Sequence, residues 1–145
     1  MNEVPQLELR DADGSALSFE ITGSSEHEAT YVVTIDVGWA RASAEVSTYL
    51  YGPPTPFFKS LAESWRGWEG EKKWEDLEHR VGFTGTCDRT GHVTVKVLVQ
   101  DSQYSGRAVL PIHLESGSLE TIANRVESYF AQALPNTSFE RTREG

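Results

Sequence analysis

Apolar residues recur at every second position through most of the chain. Leu7 and Leu9 alternate with polar neighbours, and Leu17, Phe19 and Ile21 do so after the turn residues Asp11-Ala12-Asp13-Gly14, which predicts a hairpin. Beyond the polar stretch 23–28, Tyr31, Val33, Ile35 and Val37 give a strand with one core face. Ala42, Ala44 and Val46 continue the alternation toward Leu50, and Gly38-Trp39 marks a bulge or tight bend between the two runs. Later, Val81 and Phe83 open a strand that stops at Cys87-Asp88-Arg89-Thr90-Gly91. Val93, Val95, Val97 and Val99 form the cleanest alternating run, and Leu110, Ile112 and Leu114 follow a polar turn at 101–106.

Two stretches change period. Gly52-Pro53-Pro54-Thr55-Pro56 stops the strands and predicts a helix capped by Thr55, with Pro56 at its first position. Phe57 or Phe58, Leu61, Ala62 and Trp65 then recur at helical spacing, and Glu71–Glu78 reads as a short helical addition around Trp74 and Leu77. A second helix begins near Ser116 or Ser118, carries Leu119, Ile122, Ala123, Val126, Phe130 and Ala133 on one face, and ends at Pro135. The expected fold is therefore α+β: a mostly antiparallel sheet of about six to seven strands packed with two main helices. Residues 1–134 make one domain and 135–145 a loose tail, with no internal repeat.

Composition narrows the function classes. A chain of 145 residues, 38% hydrophobic and 24% charged, suits one globular core. The formal net charge of -9 argues against a nucleic-acid or anionic-membrane partner. Most of the excess is local: residues 1–50 hold Arg10 and Arg41 against nine acidic side chains, a net -7. That concentration is either the solvated face of a sheet or a docking surface for a basic protein, with Glu20, Asp36 and Glu45 as its candidate contacts. A single cysteine excludes an internal disulfide and multi-cysteine zinc sites. No secretory signal, no apolar run near the ~18 residues of a membrane span and no lipidation motif is visible, so a cytoplasmic protein is expected; the acceptor pattern Asn136-Thr137-Ser138 is idle there.

Motifs for chemistry are sparse. His27, His79, His92 and His113 fit no zinc spacing, and Cys87 with His92 supplies only two ligands across one turn. There is no G-x-S-x-G elbow and no glycine-rich phosphate loop, and acidic pairs such as Glu69 with Glu71 or Asp11 with Asp13 are ordinary turn residues. No catalytic residue, metal or cofactor is expected. Tryptophan is more informative. Trp65, Trp68 and Trp74 fall within ten residues beside Arg66, Lys72 and Lys73. The spacing predicts that Trp65 plugs the helix onto the sheet, and leaves Trp68 as the candidate partner-facing anchor.

These residues also carry a family resemblance. Phe57-Phe58-Lys59-Ser60-Leu61-Ala62-Glu63, then Trp65-Arg66-Gly67-Trp68-Glu69-Gly70-Glu71-Lys72-Lys73-Trp74, then Asp88-Arg89-Thr90-Gly91-His92-Val93-Thr94-Val95-Lys96-Val97 resemble a group of small bacterial proteins related in pattern to the WapI-type immunity proteins. Leu114-Glu115 and Leu119-Glu120 complete the pattern, which spans roughly residues 55–130. The resemblance implies a non-catalytic α+β domain that binds and neutralises a toxin of the same bacterium. It makes Trp65, Trp68, Trp74, Gly91 and His92 motif positions, with a positive φ expected at Gly91 and hydrogen bonding within the fold at His92.

Three readings follow: an immunity-like partner of a toxin, a small-ligand or accessory domain with an aromatic pocket beside Trp65–Trp74, and an enzyme built from dispersed residues. A homodimer through an exposed edge strand is compatible with each, and the sequence does not identify the edge.

Overall fold

The computed structural model describes residues 6–134. Strands β1 (Leu7–Arg10), β2 (Ala16–Ser24), β3 (Ala29–Asp36) and β4 (Arg41–Ser47) lead into helix α1 (Thr55–Glu63). Strands β5 (Lys72–Glu75), β6 (Val81–Cys87), β7 (His92–Gln100) and β8 (Arg107–Glu115) lead through a 3-10 turn at Ser116–Ser118 into α2 (Leu119–Ala133). Each set of four strands forms its own antiparallel sheet in sequential order. The fold is α+β, with eight strands in two sheets where the pattern predicts six to seven in one. Period-two alternation marks a strand but not its sheet, and the same order of four strands and a helix occurs twice without any repeat of residues.

The added strand is β5. Within residues 71–78, expected as a short helical segment, Lys72–Glu75 instead forms a strand because Trp74 faces inward and stacks on Phe83, its cross-strand partner, at 5.3 Å between ring centroids. Helix α1 also starts differently: Pro54 occupies the capping position and Thr55 makes no capping bond, its place being fixed by the buried Gly52-Pro53-Pro54 segment. Likewise Ser118 precedes α2 without capping it, its hydroxyl donating to the Glu115 carbonyl instead. Gly38-Trp39 forms the tip of a tight hairpin closed by the Val37 N–H on the Ala40 carbonyl, with Gly38 at φ +94. The expected tail at 135–145, and Pro135 as helix stop, lie outside the described residues.

One core serves both sheets. Phe19 of β2 is fully buried and meets Tyr31 of β3, Phe58 of α1, Phe83 of β6 and Phe130 of α2 at centroid distances of 5.8–6.4 Å, mostly edge to face. Phe57 adds contacts to Phe58 and Phe83. Helix α1 can sit this close to β6 because residue 85 is glycine: a Cβ there would lie 3.1 Å from Leu61 Cδ2 and 3.3 Å from the Phe57 ring.

Four hairpin turns share one device. Asp11, Asp76, Asp88 and Asp101 each open a turn and accept backbone N–H bonds from the residues two and four further on, at 2.8–3.1 Å. In each, the fourth residue is left-handed: Gly14, His79, Gly91 and Tyr104. This is a type I turn followed by a residue at positive φ, with the aspartate supplying the acceptor that the exposed N–H groups need. Asp36 accepts from Gly38 N–H at 2.9 Å in the shorter β3–β4 turn, so five of the six aspartates are turn acceptors.

Truncating the shared ring should be the costliest single change in the core. Phe19→Ala is expected to lower unfolding free energy by about 3–5 kcal/mol in urea titration, because the cavity opens onto both sheets and both helices at once.

Candidate functional site

The acidic residues singled out from the sequence separate into two places. Glu20 and Glu45 lie in one row across the solvent face of the first sheet, with Val32 between them in the β2-β3-β4 register. Both are exposed, and Glu45 accepts the Thr22 hydroxyl at 2.6 Å. Asp36 stands at the end of that sheet, opposite Arg41 and committed to the Gly38 turn. It belongs to the turn rather than to an open acidic patch.

The tryptophans differ from expectation in their exposure. Trp68 is half-buried against the core, donates its indole N–H to the Gly85 carbonyl at 3.3 Å, and has Lys72 Nζ 5.4 Å from its ring. Trp65 is 53% exposed, with the Arg66 guanidinium 5.1 Å from its ring. The reason is local: α1 ends at Glu63, so helical spacing no longer aims residue 65, and the reversal at Gly67 (φ +115) turns residue 68 back toward the sheet.

Gly91 has φ +88, and a Cβ there would meet Ser116 Oγ at 3.1 Å. His92 Nδ1 lies 2.7 Å from Thr90 Oγ1, and its ring stands 3.5 Å from both Asp88 and Glu115. The hydroxyl, imidazole and carboxylates stand on an exposed turn where Thr90 Oγ1 also bonds Asp88 at 2.8 Å, so they read as turn structure. Cys87 faces the core side of β6 while His92 is exposed on the other face, which separates the only sulfur–imidazole pair. Among the described residues no group of His, Cys, Asp and Glu is arranged to hold a metal ion, and no helix is long and apolar enough to cross a membrane.

Sequence periodicity missed the segment that presents the most apolar surface. Tyr49, Leu50 and Tyr51 are all exposed, Leu50 to 73%. Periodicity assigned Leu50 to the end of a strand, yet β4 stops at Ser47. Leu50 has φ +66, and Tyr51 N–H bonds the Tyr49 carbonyl at 2.7 Å, a three-residue turn of the strained kind. The turn is pinned from below. Buried Thr48 donates its N–H to the Ala29 carbonyl and accepts the Ala29 N–H on its hydroxyl, while Gly52 N–H closes onto the Thr48 carbonyl at 2.8 Å. Beside it lies a groove of ≈ 190 Å³ lined by Tyr49, Glu45, Ser47, Thr30, Leu77 and Glu78, with the buried Asp76 at its wall. The signal available in the sequence was Tyr-Leu-Tyr directly before Gly-Pro-Pro, an apolar triplet where the chain must turn.

Further grooves open among the described residues. One of ≈ 530 Å³ separates the end of α1 from the start of α2 and is lined by Ala62, Glu63, Trp65, Ser116, Gly117 and Glu120. Another of ≈ 250 Å³ lies where the β1–β2 turn meets β8 and α2. At that junction His113 N–H donates to Asp11 Oδ2 at 3.0 Å and Arg125 donates to the Glu8 carbonyl at 2.9 Å.

A family model described as DUF6228, a family of unknown function, matches residues 9–133. The chain belongs to DUF6228. No curated protein matches this DUF6228 member. Among solved structures it is similar to the crystal structure of WHY3 from Arabidopsis thaliana, with a TM-score of 0.54 and 8% sequence identity, over 98% of this chain and 95% of that one. At that identity the likeness is one of fold.

Two titrations follow from the geometry. Hydrogen bonds from His92 N–H, the Thr90 hydroxyl and Thr90 N–H hold the Asp88 carboxyl down at about 2, below its ordinary 3.8. A depressed carboxyl stabilises the fold above its unfolded value, and that contribution is lost as pH falls through about 2. Carboxyl NMR should therefore show Asp88 titrating near 2, and Asp88→Asn should remove this part of the acid sensitivity. Tyr31 carries a fully buried hydroxyl without a partner among the described residues, and burial, then the charge of Asp76, push its pKa up. Tyr31→Phe should raise stability by about 1 kcal/mol in urea titration, since it removes an unpaired buried hydroxyl at constant shape.

Proposed function

We propose that this DUF6228 chain is a non-catalytic protein-binding domain of the cytoplasm that works as an immunity protein, neutralising a cognate toxin of basic character. The observation that carries the reading is the Tyr49-Leu50-Tyr51 turn. A large apolar side chain held at positive φ costs conformational energy, about 1–2 kcal/mol, and a buried anchor maintains it. Such strain on an exposed side chain has no use in the core, whereas aromatic and apolar anchors on a rigid support are what binding hot spots use. Glu45 and Glu78 beside Tyr49 supply an acidic rim. Rim charge governs approach more than final affinity, so this rim favours a basic partner. The resemblance of residues 55–130 to WapI-type immunity proteins supplies the class of partner.

The test is co-expression with the toxin domain encoded beside this protein. Rescue of growth and a complex that survives purification are expected, and no rescue with no complex overturns the reading. Within the complex, Leu50→Gly should raise the stability of the free protein by up to about 1 kcal/mol while weakening binding. Tyr49→Ala with Tyr51→Ala should weaken binding about thirtyfold, the ~2 kcal/mol of a hot spot. Glu45→Gln with Glu78→Gln should slow association and flatten its dependence on salt, with little change in dissociation.

A second reading has its own observation. The ≈ 530 Å³ groove at Trp65 falls in the size range of small-molecule sites. Occupancy by a metabolite would change Trp65 fluorescence, and Trp65→Phe would abolish that response.

A further inference from the structure

The outer face of each sheet carries one row of like charges, acidic on the first sheet and basic on the second, in matching geometry. On the first sheet the row across β2, β3 and β4 reads Glu20, Val32, Glu45. On the second sheet the row across β5, β6 and β7 reads Lys73, Thr84, Lys96. In each row the like charges sit two strands apart, about 10 Å at the usual strand spacing, with a short neutral side chain between them. All four charged residues are exposed. Glu20, Glu45 and Lys96 form no ion pair among the described residues, and Lys73 reaches only Glu71, at 3.4 Å. Next to the basic row, Leu98 pairs with the half-exposed Val109, which adds an apolar strip to that face.

The edges, by contrast, are closed to a second copy. On β8, Pro111 offers no N–H and the His113 N–H is held by Asp11. On β4 the Glu45 carbonyl accepts Arg80, on β1 the Glu8 carbonyl accepts Arg125, and β5 is only four residues long. Association between copies is thereby directed from edges to faces.

We propose that the protein self-associates face to face, with the acidic row of one copy lying on the basic row of the next. The two surfaces differ, so the contact is head to tail and extends or closes as a ring rather than stopping at a symmetric dimer. This inference needs no foreign partner and does not rest on the binding reading above, although the two share Glu45.

Sedimentation and light scattering of the full chain at low ionic strength test it. Wild type should gain mass with concentration and return to single chains in high salt, as the screening length shrinks from about 30 Å at 0.01 M to about 3 Å at 1 M. Glu20→Lys with Glu45→Lys, and separately Lys73→Glu with Lys96→Glu, should each leave single chains. The first does so although it carries less net charge than wild type, which separates matched rows from general repulsion. The chain with all four reversals should associate again, as should an equimolar mixture of the two double variants, and a misfolded variant could do neither. Wild type that stays a single chain at every concentration overturns the proposal, as does either double variant associating like wild type or a fourfold variant that fails to recover.

Discussion

Phe19 is the contact on which the rest of the architecture depends. Two four-stranded sheets and two helices have four separate apolar faces to hide, and each face alone is too small to make a core. One ring on β2 touches a ring from β3, α1, β6 and α2, so burying it brings all four faces together. Around it, small residues permit the approach: Gly85 lets Leu61 and Phe57 descend onto β6, and the Trp68 indole closes over the Gly85 carbonyl. The ring geometry, edge against face, adds to area burial and fixes the relative placement of the elements.

The acidity of the chain divides into two uses. Aspartate builds the turns: its short carboxylate reaches N–H groups two and four residues on, which glutamate's extra methylene would overshoot, and five of six aspartates act this way. Glutamate remains on the surfaces, as at Glu20, Glu45 and Glu78. The charge concentrated in residues 1–50 is therefore part scaffold and part face, and only the second part is available to another molecule. The strained Tyr49-Leu50-Tyr51 turn lies beside that face because Gly52-Pro53-Pro54 must lead the chain from β4 into α1 across a buried anchor.

Legibility varied with the range of the interaction. Strands β1–β4 and β6–β8 and both helices were readable because their periods record which side of each element is buried. The turns at Gly14 and Gly91 were readable because glycine marks positive φ. The turns at His79 and Tyr104 have the same backbone without the glycine, and they hold one another instead: Tyr104 donates to the Glu78 carbonyl and Gln100 to the His79 carbonyl. The polar residues 101–106 still marked the second of these turns, but nothing local announces the one at His79, and that is why residues 71–78 resembled a helix. Of the candidate site, Glu20 and Glu45 were legible as acidic residues; that Asp36 serves a turn and that the Trp68 indole turns inward were not, because both depend on where the chain folds back.

By itself the sequence determined the class of the fold, the alternation of core and solvent along each strand, the stop before α1 and the acidic balance. These follow from local preferences and one-sided burial, which operate over a few residues. Only the tertiary structure decided that the strands divide into two sheets, that Trp65 faces out while Trp68 faces in, that Leu50 is held in a strained turn, and that an acidic row on one face matches a basic row on the other. Each of those depends on contacts between residues distant in the chain, and no periodicity within a single segment encodes them.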